Sequence, residues 1–98
     1  MAPCGNSVRS MGAAVAFAAL RLLQPLAARG DSNAQFFVGN IYESGKAMPV
    51  NYIEAARWYQ RAAEQGQSEA MFQLGVFYIN GQGVTRNEAV GIQWVQRA

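Results

Sequence analysis

The stretch "AARWYQRAAEQG", residues 55–66, sets two large aromatic side chains, Trp58 and Tyr59, among four alanines and closes on a glycine. Rings beside holes suit either a ligand platform or a packing surface, in which bulky side chains fill the space that alanine leaves. Recurrence separates the two. An aromatic that returns at a fixed offset, in company with alanine and glycine, reads as core.

The pattern recurs at an offset of 36 residues, which aligns 31–62 with 67–98 without a gap. Eleven of the 32 pairs are identical: Ser32/Ser68, Ala34/Ala70, Phe36/Phe72, Gly39/Gly75, Tyr42/Tyr78, Gly45/Gly81, Asn51/Asn87, Trp58/Trp94, Gln60/Gln96, Arg61/Arg97 and Ala62/Ala98. These are residues that turns and close packing demand. Catalytic types are missing from the set.

Each unit carries two helical blocks separated by a glycine-containing turn. In the first, "SNAQ" at 32–35 reads as a capping box, and Ala34, Val38, Ile41 and Tyr42 share one helical face. The helix stops near Gly45. Asn51 then caps a second helix, with Glu54 three residues on, Ala55, Trp58, Tyr59 and Ala62 as its buried stripe, and Gly66 at its end. Ser68, Gly81, Gly83 and Asn87 repeat these signals in the second unit. The reading is therefore an all-α fold, a right-handed α-α superhelix (solenoid) of antiparallel helix hairpins. One hairpin cannot bury both apolar sides, so each needs a neighbour.

The first thirty residues admit two readings. Arg9, the apolar "MGAAVAF" and the small-residue triplet "AFA" at 16–18 look like a short secretory signal, which would place the protein in the periplasm or outside the cell. Alternatively, "ALRLLQPLAARG" continues as helix, with Leu20, Leu23 and Ala27 on one side. A second shift by 36 sets Gln24, Ala27 and Gly30 against Gln60, Ala63 and Gly66, which favours a helix and, with it, the cytoplasm. The expected organisation is a flexible tail or the start of a signal peptide at 1–13, an N-terminal capping helix at 14–30, a first repeat at 31–66, and a second at 67–98 that looks cut short.

Composition narrows the function. The chain has 98 residues, 51% of them apolar and 14% charged, enough for one small folded domain. Its net charge of +2 comes from seven arginines and one lysine spread without a run, so nucleic acid is not an expected partner. Histidine is absent and Cys4 stands alone. That removes the commonest general base and zinc ligand and any internal disulfide, and no metal or other cofactor is expected. No stretch approaches the roughly 20 apolar residues of a membrane span, so no integral membrane protein is expected either.

The units "AQFFVGNIYESGKAMPVNYIEAARWYQRAAEQG" and "AMFQLGVFYINGQGVTRNEAVGIQWVQRA" resemble the Sel-one-like repeat, a relative of the tetratricopeptide repeat. Two departures stand out. Ala47 replaces the second glycine of the first turn, a strain if that position is left-handed. Gly91 replaces the alanine matching Ala55, at a helix-propensity cost of about 0.5–1 kcal/mol. The resemblance implies a scaffold that holds partner proteins. Cysteine-rich members linked to β-lactam binding carry a disulfide in each repeat, which this chain does not. A β-lactam-binding or hydrolysing enzyme, and a purely structural segment of a longer solenoid, are the alternatives to a binding module.

The resemblance also locates a site. In the tetratricopeptide fold, first-helix residues that point away from the second helix line a concave face. Here they correspond to Asn33, Phe36, Asn40 and Glu43, then Glu69, Phe72, Val76 and Ile79. The change from Asn40 and Glu43 to Val76 and Ile79 suits recognition, running the wall from polar to apolar for a peptide or partner helix. Phe36 and Phe72 fit packing between repeats equally well. Self-association through the C-terminal edge is a further expected contact.

Overall fold

The computed structural model describes residues 11–98. They form α1 (Ala13–Ala28), α2 (Ser32–Ser44), α3 (Tyr52–Glu64), α4 (Ser68–Asn80) and α5 (Glu88–Arg97), with no strand among the described residues. Each helix packs on its neighbours in sequence: α1 on α2, α2 on α3, α3 on α4, α4 on α5. This is a helical-repeat solenoid, with α2–α3 and α4–α5 as its hairpins. Most of the expected tail, with Cys4, lies outside the described residues.

The second helices start where expected. The Asn51 and Asn87 side chains accept from the Glu54 and Val90 N–H groups, each at 3.1 Å. Their own N–H groups bond back to Tyr42 O (2.9 Å) and Tyr78 O (2.8 Å), locking both hairpins alike. The first helices start one residue earlier than "SNAQ" suggests. Asp31 and Gln67, both extended, are the caps, accepting from Ala34 N at 2.9 Å and Ala70 N at 2.6 Å; Ser32 and Ser68 are already helical. Nor does Gln35 close a capping box. It is buried, donates to Ala27 O at 3.0 Å and accepts from Gln65 at 2.9 Å, tying together α1, α2 and the turn after α3.

The turns repeat as the helices do. After α1, Asp31 N–H bonds to Leu26 O; after α3, Gln67 N–H bonds to Ala62 O, with Gly30 and Gly66 at φ 108° and 90°. This six-to-one bond satisfies carbonyls that a helix end leaves orphaned, and its path needs glycine's left-handed freedom. Its return after 36 residues makes α1 the counterpart of α3. Ala16, within the part of α1 that a signal peptidase would remove, is fully buried, as is Ala27, while Leu20 is nearly so. Among the described residues no helix is long and apolar enough to cross a membrane.

Trp58 and Tyr59 serve opposite sides. Adjacent residues on a helix point about 100° apart. Trp58 packs backward into a cluster with Leu20 and Ala27 of α1 and Ala34, Val38 and Ile41 of α2. Tyr59 packs forward with Ala70, Met71, Leu74 and Phe77 of α4, joined by Ala55, Ala56, Ala62 and Ala63. One stretch therefore builds two cores, and its alanines let α4 approach closely enough for the rings to fill what remains.

The departures from the repeat pattern turn out differently from expectation. No non-glycine residue among those described has a positive φ, so Ala47 is unstrained, whereas Gly83 sits at φ 70°. The two turns follow different paths. A Cβ on Gly83 would also stand 2.1 Å from Tyr52 O, so glycine brings this turn against the start of α3. Gly91 is no simple loss of helix propensity either. A Cβ there would lie 2.6 Å from both Gly75 O and Ile79 Cγ1, so α4 and α5 meet backbone to backbone.

Candidate partner-binding face

The first helices, α2 and α4, each divide into a buried and a solvent-facing side. Ala34, Val38, Ile41, Ala70, Leu74 and Phe77 are in the core. None of the eight expected wall residues is. Asn33, Glu69 and Phe72 are exposed; Phe36, Asn40, Glu43, Val76 and Ile79 are half-buried. Gln67 links the two helices at this face, its Nε2 reaching Glu69 at 3.2 Å and Asn33 at 3.5 Å.

Phe36 and Phe72 occupy matching positions with different fates. The Phe36 ring lies 5.9 Å from that of Tyr59 and packs against the α3–α4 core. Phe72 is 50% exposed, because no described helix stands beyond α4 where α4 stands beyond α2. The packing alternative thus describes Phe36 in this structure, while Phe72 presents its ring to solvent.

Asn40 and Glu43 do not stand clear of the second helix, as the tetratricopeptide geometry would have them. The Tyr59 hydroxyl reaches them from α3, 2.6 Å from Glu43 Oε1 and 2.5 Å from Asn40 Oδ1. One phenolic proton serves two acceptors, and the charged carboxylate is the stronger. The ring itself packs against α2, where a Cβ on Gly39 would stand 2.6 Å from it. In the second hairpin the three matching positions are Val76, Ile79 and Val95. All three turn apolar together, so the change that suggested recognition also follows from packing: without the hydroxyl, half-buried Asn and Glu would lose their partner.

Burial holds the Tyr59 phenol well above its ordinary value near 10, and Glu43 raises it further by its charge and its hydrogen bond. The folded state thus retains a proton that the unfolded chain releases near pH 10. The resulting stability is complete below pH 10 and declines above it, by about 1.4 kcal/mol per pH unit for one proton. Urea titrations between pH 9 and 11 should show that slope in the wild type and lack it in Tyr59→Phe. Parallel declines would mean other groups govern the alkaline limit.

Sequence reasoning missed Gln35, Gln67 and the Tyr59 hydroxyl. Gln35 and Gln67 carried no signal, since Met71 replaces the first and Asp31 the second in the repeat alignment. The Tyr59 contact did carry one: positions 40, 43 and 59 change class in concert with 76, 79 and 95. Among the described residues no group of three His, Cys, Asp or Glu could hold a metal ion.

Stacked hairpins that share apolar cores with their neighbours, with a solvent-facing strip along their first helices, define a helical-repeat protein of the scaffold type. The Sel1 repeat matches residues 32–67 and 68–98, and the chain belongs to that family. Two solved structures are similar. A protective antigen of uropathogenic Escherichia coli strains, displaying an SLR fold, is 35% identical over 81% of this chain and 17% of its own, with a TM-score of 0.75. A Sel1 repeat protein from Oxalobacter formigenes is 33% identical over 76% of this chain and 22% of its own, also at 0.75. The chain thus spans only about a fifth of the length of each of these two solved chains. No curated protein matches it. Sel1 repeat proteins are generally protein-interaction scaffolds, typically without catalytic activity.

Proposed function

We propose that the chain binds a peptide or partner-protein segment along the strip formed by α2 and α4. The observation that carries this reading is the accessibility of that strip: its eight residues lie outside the core, while Ala34, Val38, Ile41, Ala70, Leu74 and Phe77 on the same helices are buried. The strip passes from Asn33, Asn40 and Glu43 to Phe72, Val76 and Ile79, so it offers polar contacts beside apolar ones, as recognition of an amphipathic segment requires. Phe36 contributes from the seam between the hairpins.

A binder isolated by pull-down is tested against Glu69→Arg and Phe72→Ala. Both positions are exposed, so the fold should survive, and each variant should weaken binding severalfold, more for Phe72 as an aromatic anchor. Binding unchanged by both, with the helical spectrum intact, would move the site elsewhere. Sedimentation velocity on the purified chain separates this from self-association, in which a second copy would cover the C-terminal edge that exposes Phe72 and Ile92.

A further inference from the structure

A second surface lies on α3, apart from the α2–α4 strip. Glu54, Arg57, Arg61 and exposed Ile53 form one side of a groove of about 630 Å³, and Gly83 and Val84 of the turn between α4 and α5 form the other. That wall exists because Gly83 lies against the Tyr52 carbonyl, a contact that a Cβ would forbid. The matching Ala47 has no such conformation.

The charges of the groove are unequal. Glu54 holds Arg57 at 3.0 Å, which leaves that pair neutral. Arg61 has no carboxylate within ion-pair distance among the described residues, and its guanidinium lies 4.9 Å from the centre of the Trp58 ring. Stacking on an aromatic face limits the guanidinium's freedom while leaving its N–H fork open to a planar acceptor. The groove therefore combines one unpaired, pre-oriented cation with aliphatic walls at Ile53 and Val84.

From this we infer that the groove takes an extended peptide segment of a partner protein in which one acidic side chain is flanked by aliphatic residues. The carboxylate pairs with Arg61, and its neighbours cover Ile53 and Val84. Arg97 stacks on Trp94 in the same way, at 4.7 Å, but no turn of a following repeat faces it among the described residues. Arg97 is thus an internal control: the same stacked arginine without the wall.

The test is fluorescence anisotropy with a labelled Leu-Asp-Leu-Leu peptide, its Asn counterpart, and the full chain as wild type, Arg61→Gln and Arg97→Gln. Circular dichroism confirms that each variant is folded. Saturable binding of the Asp peptide is expected, weakened about tenfold or more by Arg61→Gln or by the Asn peptide, as loss of a charge-assisted hydrogen bond predicts. Arg97→Gln should bind like wild type. No saturable binding, equal affinity for the two peptides, or equal losses in both variants would overturn the assignment.

Discussion

Tyr59→Ala is expected to unfold the chain at room temperature. Tyr59 is fully buried, its ring 5.3 Å from Phe77 of α4 and 5.9 Å from Phe36 of α2, so it joins three helices. Removing a large buried aromatic side chain costs about 3–5 kcal/mol. Here the Glu43 carboxylate and the Asn40 amide also lose a hydrogen-bond partner in a half-buried setting, which adds to the cost. Small domains have only about 5–15 kcal/mol of stability to lose, and two hairpins belong at the lower end. Circular dichroism and urea titration would show the loss. Tyr59→Phe, which keeps the ring, should remain folded. A cooperatively melting alanine variant would mean that the forward core does not depend on this ring.

Gly91→Ala is expected to destabilise the chain by about 1–3 kcal/mol, the range for overpacking a filled interior. Helix propensity alone predicts the opposite sign, a gain of about 0.5–1 kcal/mol. The close approach decides between them. The added Cβ would meet Gly75 O at 2.6 Å and Ile79 N at 3.1 Å, backbone atoms that can yield only if α4 and α5 separate. Gly75 is constrained from the other side, by Gly91 O at 2.7 Å and Val95 Cγ2 at 2.6 Å. A lower urea midpoint for Gly91→Ala would confirm the contact, and a midpoint at or above that of wild type would refute it.

The two hairpins also explain each other. In the first, Gly39 accommodates the Tyr59 ring and Ala55 fits beside it; in the second, Val95 replaces the ring and Gly91 replaces the alanine. A smaller side chain at one position and no side chain at the other let α5 come closer to α4. Read one position at a time, Gly91 looks like a weakness. Read with Val95 and Gly75, it is part of a different way of closing the same hairpin.

What the sequence determined by itself was local or periodic. The 36-residue offset, the glycines that stop helices and the asparagines that start the second ones each act through neighbours a few residues away, and repetition amplifies them into the architecture. Only the tertiary structure decided the rest. It made Asp31 and Gln67 the caps in place of Ser32 and Ser68, buried Gln35 between helices, sent Trp58 and Tyr59 into different cores, and joined Tyr59 to Asn40 and Glu43 on the face where a partner is proposed to bind. The caps are local, but the Gln35 and Tyr59 contacts join groups that lie 8 to 30 residues apart in sequence. Helical periodicity sets which side of a helix a residue occupies, but which neighbour it meets there, and how closely, follows from how the hairpins pack.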